Sequence, residues 1–181
     1  MSQTLVQLHS EISSEAKKGY PILLAGSIVF LAFTFLPLFL PMETVHLVWI
    51  FGLSTIFPLG LLFCKLLGIN ILSSKNPLGT LGGIIAFPQA FFIPVFIIVY
   101  MNIPEYLPFT IGLLGGSHFL PYMWIYRSKA YLVVTFGVCL LSMVFGAWFV
   151  DQAFTIVPIA ISAVYGLGVL LILWELKVEN R

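Results

Sequence analysis

Apolar residues run through this chain in long blocks, broken at short intervals by small groups of charged, amide or proline residues. A helix needs about 20 largely apolar residues to cross a hydrocarbon core of about 30 Å. Six blocks meet that length, at 20–40, 45–67, 78–101, 106–126, 130–150 and 153–174. Between them come Pro41, Met42 and Glu43, the polar stretch 70–76 with Ser73, Ser74 and Lys75, then Asn102, Pro104 and Glu105, then Arg127, Ser128 and Lys129, and last Asp151 with Gln152. None of these breaks resembles a linker between domains. The pattern therefore predicts a single all-α domain, 1–181, built as a polytopic bundle of six transmembrane helices.

Residues 1–19 precede the first block, and within them Leu5, Leu8, Ile12 and Ala16 recur at helical spacing among Ser, Gln and charged residues. That spacing predicts a short amphipathic helix lying on the inner membrane surface. The first apolar block is long enough to span and lacks a small-residue cleavage motif, so it is expected to remain as the first helix.

Charge then sets the orientation, because basic residues are retained on the cytoplasmic side while acidic residues have much less influence. All eight basic residues fall on one side of the six-span arrangement: Lys17, Lys18, Lys65, Lys75, Arg127, Lys129, Lys177 and Arg181. The opposite loops carry Glu43, Glu105 and Asp151 alone. Both termini are thus expected in the cytoplasm, and the chain in a bacterial cytoplasmic membrane. Composition agrees, since 60% of the residues are hydrophobic and 8% charged, against roughly 25% charged in soluble domains. A net charge of +1 gives no basic patch for nucleic acid. Cys64 and Cys139 sit at different depths and read as reduced packing residues, so neither a disulfide framework nor a metal site is expected, and no cofactor.

Amphipathic rings favour the headgroup level. Tyr20, Tyr122, Trp124, Tyr126, Tyr131 and Trp174 fall towards the inner ends of the spans, and Trp49, Tyr100, Tyr106 and Trp148 towards the outer ends. Tyr165 is the exception, near the middle of the sixth span.

Polar side chains inside a bilayer are costly and usually face protein or a wet cavity. Gln89, His118 and Tyr165 lie about 11, 9 and 10 residues from the inner ends of their spans, which at about 1.5 Å per residue gives them one depth near the midplane. Each shares a helix face with small residues: Gly79, Gly82 and Ala86 with Gln89, Gly115 and Tyr122 with His118, and Pro158 and Ser162 with Tyr165. Small residues let transmembrane backbones approach, so these faces are expected to point inward. Gly112 with Gly116, and Gly79 with Gly83, add GxxxG spacing, and such faces also suit a homo-oligomer or another membrane partner. Prolines free the carbonyl four residues earlier, which places acceptors at Ser54 (through Pro58) and Ser117 (through Pro121). Gln89, His118, Tyr165, Ser54 and Ser117 are the candidate ligand-binding set. A purely structural role, in which they bond one another or the freed carbonyls, is the competing reading.

Catalytic signatures are scarce. His9, His46 and His118 stand alone, with no H-E-x-x-H pattern, and Ser117 is turned about 100° from its neighbour His118 on a helix. No carboxylate lies inside a span, which removes the usual carrier of proton-coupled transport.

The stretch from His118 to Tyr131, HFLPYMWIYRSKAY, with NPLGTLG from Asn76 and KKGYPILLAG from Lys17, resembles an uncharacterised bacterial family of small six-span membrane proteins. The resemblance extends over the whole chain and carries no assigned site. By size and helix number the chain is also similar to the substrate-capturing subunits of vitamin transporters, although it lacks their small-residue coupling motif in the first helix. The leading reading is a permease-like or ligand-binding protein with a midplane polar site. A structural or accessory subunit without ligand is the alternative, and an intramembrane enzyme ranks third.

The segregation of charge makes a direct prediction. Membrane-impermeant thiol reagents added from outside should label cysteines placed at Met42, Ile103 and Gln152, and should not reach Ser74 or Ser128. Outside labelling at Ser74 would contradict the arrangement.

Overall fold

The computed structural model describes residues 4–71 and 76–179, and among these the chain is helical without a strand. The predicted loop residues Ser73, Ser74 and Lys75, and the terminal Arg181, lie outside the described residues. In chain order the α-helices are α1 (Leu5–Glu15), α2 (Tyr20–Phe39), α3 (Met42–Gly52), α4 (Ile56–Leu66), α5 (Pro77–Ala86), α6 (Ile93–Asn102), α7 (Leu107–Ser117), α8 (Leu120–Ile125), α9 (Ala130–Ala147) and α10 (Ala153–Glu179).

Five continuous helical rods are long and apolar enough to cross a membrane: Lys17–Phe39, Met42–Leu66, Pro77–Asn102, Ala130–Ala147 and Val150–Glu179. Two of them contain tighter 3₁₀ turns in their interior, Leu53–Thr55 between α3 and α4 and Phe87–Phe92 between α5 and α6. Proline explains the placement, because Pro58 and Pro88 lack the N–H that an α-turn requires and the chain winds tighter beside them. Near the first, Ser54 and Thr55 hydroxyls donate to the carbonyls of Phe51 and Gly52, each at 2.6 Å. The fourth predicted block, 106–126, differs from the rest: it forms two helices, α7 and α8, meeting at His118 and Phe119. Pro121 is the cause. Bonds to the third residue back, from Phe119 N–H to Gly116 and from Tyr122 N–H to Phe119, take over at the junction.

The helices close into a ring. Neighbouring pairs are α4 with α2, α2 with α10, α10 with α9, α9 with α7, α7 with α6, and α6 with α3. Small residues set the contacts, as the glycine spacing predicts. A Cβ at Gly112 would lie 2.0 Å from the Ser142 hydroxyl, and one at Gly146 would lie 2.7 Å from the backbone of Phe109, so α7 and α9 nearly touch. Between α2 and α10, Ser27 donates to the Ser162 carbonyl at 2.9 Å while Ser162 donates to the Ser27 carbonyl at 2.8 Å. The rings divide differently from the interfacial belt expected: Trp124, Trp148 and Trp174 are exposed, whereas Trp49 is fully buried against Phe30, Phe33 and Phe154.

The N-terminal helix forms where its spacing predicts, and Thr4 and Gln7 make reciprocal capping bonds at its start. Its buried stripe contacts protein. Ile12 and Ala16 are fully buried, Leu5 is exposed, and His9 Nδ1–H and the Ser13 hydroxyl donate to the carbonyls of Ile125 and Tyr126, at 2.9 and 3.1 Å. Those carbonyls end α8 and lack helical partners of their own. Asn76 caps α5 through Leu78 N–H and donates to the Leu8 carbonyl at 2.9 Å, which joins α1 to the third rod.

Between α1 and α2, Lys17, Lys18 and Gly19 all adopt positive φ, at 46°, 52° and 72°. That region is unfavourable for residues bearing a Cβ. A buried ion pair offsets the strain: Lys18 is 1% exposed, with Nζ 3.1 Å from Glu175 and 2.6 Å from Glu179, both near the end of α10. Glu175 also accepts from the backbone N–H groups of Lys129 and Ala130 at the start of α9. One side chain thus ties the first, fourth and last of these rods at the same end.

Breaking a buried pair leaves an uncompensated charge, so Lys18→Met should lower unfolding stability in detergent by about 3 kcal/mol. Glu179, with a side chain 53% exposed, should cost no more than about 1 kcal/mol as Gln. Thermal denaturation of the two variants distinguishes them; equal losses would show that the pair does not anchor this end.

Candidate functional site

The third rod winds tighter at Phe87–Phe92 and the α7–α8 element breaks at His118 and Phe119, and a cavity of about 610 Å³ lies inside the ring. Four of the five sequence candidates line it: Gln89, His118, Tyr165 and Ser54. Ser117 does not. It is exposed, and its hydroxyl donates to the Leu114 carbonyl at 2.8 Å.

The glycine stripes form much of the wall. Gly79, Gly82 and Ala86 line the cavity below Gln89, and Gly115 and Gly116 line it beside His118. These glycines play two different parts. Gly116 packs on Val138 and Cys139 of α9, whereas a Cβ built at Gly115 or Gly83 meets nothing within 4 Å. Of the two predicted GxxxG pairs, then, Gly112 and Gly116 make a helix contact, while Gly83 faces open space.

Each polar side chain is held in its own way. His118 Nδ1–H donates to the Gly115 carbonyl one turn back, which leaves Nε2 as an acceptor, and its ring lies 3.9 Å from that of Phe119. Gln89 is half-buried on the 3₁₀ turn and has no side-chain hydrogen bond among the described residues. Ser54 turns its hydroxyl back to its own helix, as described above. Tyr165 is 5% exposed, and its ring lies against Gly26 where any Cβ would come within 2.7 Å. Phe119 and Phe30 meet that ring edge-on at 5.4 and 5.8 Å. Its hydroxyl has no hydrogen-bond partner among the described residues, although it lies on the cavity wall. No hydrogen bond joins Gln89, His118 and Tyr165 to one another among these residues.

At the end of the cavity nearest Lys18 is a pile of rings that the interfacial expectation for Tyr122, Tyr126 and Tyr131 did not anticipate. Tyr122 stacks on Tyr126 at 6.0 Å, Tyr126 on Tyr131 at 5.8 Å, and Tyr131 on Phe119 at 6.2 Å. Tyr122 donates to the Gly82 carbonyl at 2.7 Å and Tyr131 to the Lys18 carbonyl at 2.7 Å. The signal was present in the spacing, because His118, Tyr122 and Tyr126 follow one another at four-residue intervals and so share a helix face.

The chemistry of this surface is uniform. Among the described residues no Asp, Glu, Lys or Arg lines the cavity, and its polar side chains are four tyrosines, Tyr122, Tyr126, Tyr131 and Tyr165, with Ser54, Gln89 and His118, spread over an aromatic and aliphatic wall. Such a surface can donate to and accept from an uncharged molecule. It offers no nucleophile with a partnered base, since no serine hydroxyl bonds His118 among the described residues. Both cysteines are free, and no group of three His, Cys, Asp or Glu side chains converges among the described residues.

No curated protein and no solved structure matches this chain. A family model does, over residues 5–175, and the chain belongs to that family, a family of unknown function (DUF7010) with apolar helices of membrane-spanning length.

Proposed function

We propose that this chain is a six-span protein of the bacterial cytoplasmic membrane, with both termini inside, that binds a small molecule in its mid-depth cavity. The sixth crossing is the α7–α8 pair. Residues 107–125 rise about 28 Å at about 1.5 Å per residue, close to the hydrocarbon thickness of about 30 Å. Arg127 and Lys129 follow that pair on the side that also carries Lys17, Lys18, Lys65 and Lys177. The orientation rests on this asymmetry of basic residues.

Ligand binding rests on one observation, the unpartnered hydroxyl of Tyr165 inside a cavity of about 610 Å³. Unlike Trp49 Nε1 and the Ser128 and Ser142 hydroxyls, which are sealed without a bond among the described residues, this hydroxyl is accessible to an occupant, and leaving a buried polar group unbonded costs about 1–3 kcal/mol. A bundle that used Tyr165 only for cohesion would turn the phenol towards a carbonyl, as Tyr122 and Tyr131 are turned. A cavity of this size also falls within the usual range for small-molecule sites, about 300–1,000 Å³.

Gly115 supplies the test. Because nothing lies within 4 Å of a Cβ there, Gly115→Leu should fill the cavity without overpacking, and the empty protein should keep its melting temperature or gain slightly from helix propensity, about 0.8–1 kcal/mol. Gly112→Leu, which must displace Ser142, should instead destabilise by about 1–3 kcal/mol or more. Solvent extraction of purified protein, read by mass spectrometry, should recover about one small molecule per chain from wild type and background levels from Gly115→Leu. Equal recovery from both would contradict the proposal.

A further inference from the structure

The exposed part of the cavity wall is confined to one side among the described residues. Every lining residue that is exposed belongs to the second or third rod: Phe51, Ser54 and Phe57 on one edge, and Gly83, Phe87 and Ala90 with Ile93 on the other. Phe57 is 50% exposed and Phe87 65%. In the ring of helix contacts, α4 and α5 are the neighbours that do not pack along one another. The mouth therefore lies between them, at the depth of the apolar blocks.

Both ends of this slot are closed. Towards the outer end α3 packs on α6, where the rings of His46 and Tyr100 meet edge-on at 5.7 Å. Towards the inner end the tyrosine pile, the buried Lys18 with its two glutamates, and α1 docked under α8 and α5 lie between the cavity and the cytoplasmic surface. Among the described residues, the lipid side has the more direct path. The flanking phenylalanines belong to hydrocarbon, and a charged group passing between them would be desolvated without a partner.

Resting on the ligand-binding reading above, we infer that the cavity takes an uncharged, lipid-soluble molecule bearing a hydrogen-bonding group, which enters sideways from the bilayer between α4 and α5. The aromatic and aliphatic wall accommodates its apolar body. Tyr165, Gln89 and His118 Nε2 meet its polar end, such as a hydroxyl or carbonyl, at mid-depth. The lack of a charged lining residue among the described residues sets the selectivity, because a formal charge on the ligand would find no counterion among them.

The test uses two photoreactive probes of equal chain length in phosphatidylcholine nanodiscs: diazirine-bearing hexadecanol and the corresponding permanently charged sulfonate. Ile161 and Tyr165 line the cavity and are buried from surrounding lipid, so label on them reports its interior. The alcohol should label these residues at least about ten-fold more than the sulfonate, and unlabelled hexadecanol should compete. Gly83→Trp, at the mouth and with nothing within 4 Å of its Cβ, should cut the label about as much as it narrows the slot, by about ten-fold, without lowering thermal stability. Equal labelling by both probes, full labelling of Gly83→Trp, or label that hexadecanol cannot compete overturns the inference while leaving the cavity as a site. If neither probe labels Ile161 and Tyr165, the inference fails; if Gly115→Leu also retains the extracted molecule, the ligand-binding reading fails with it.

Discussion

Hydrocarbon offers no hydrogen bonds, so a polar group carried into it must find a partner in the chain or be left at a cost. Most of this bundle follows from that demand. Ser27 and Ser162 satisfy each other's carbonyls across the α2–α10 contact, and Thr34 and Thr135 turn back onto the carbonyls of Phe30 and Tyr131, four residues earlier. Tyr122 reaches across to Gly82, where the α5 stripe of glycine leaves the backbone open. Trp49 Nε1 and the Ser128 and Ser142 hydroxyls are buried without a bond among the described residues, and the remaining exceptions gather at one place. Tyr165 is as buried as the bonded tyrosines, yet its hydroxyl faces a cavity, and Gln89 and the free nitrogen of His118 lie on the same wall.

The same demand shapes the end that carries Lys18, where the chain places a full charge out of water. Lys18 is tolerated because two carboxylates from α10 meet it and one of these also caps the start of α9. Three residues of left-handed backbone bring it there. With α1 laid across the carbonyl end of α8, this network packs the N-terminal end of the bundle, and in the proposed reading the slot between α4 and α5 is the opening of the cavity. Rigid closure at one end and loose packing between two proline-wound rods are consistent with a site served from the membrane.

Much of this was legible in the sequence, for physical reasons that differ by feature. Helix positions followed from the thickness of hydrocarbon, and the inward faces of Gln89 and His118 followed from period 3.6 and their glycine neighbours. Ser117 was included for the carbonyl that Pro121 frees, but the turn at 118–119 separates its side chain from the wall. The break there also makes two helices of a predicted span, a local effect of one proline that hydropathy does not register. Trp49 and the three tyrosines were expected at the headgroup level because composition gives depth but not direction; their burial depends on which neighbours the ring of helices supplies. Lys18 is the clearest case. It reads as a topogenic surface charge until Glu175 and Glu179, distant in sequence, are known to lie against it.

The central claim is that the mid-depth cavity is kept open for an occupant. A density map of the protein extracted with its native membrane into nanodiscs tests this most directly, at a resolution that resolves side chains. The account predicts non-protein density between α4 and α5, reaching within hydrogen-bond distance, about 2.7–3.2 Å, of the Tyr165 hydroxyl. A closed slot, with a neighbouring side chain packed on Gly115 and the Tyr165 hydroxyl bonded to the protein, would contradict it.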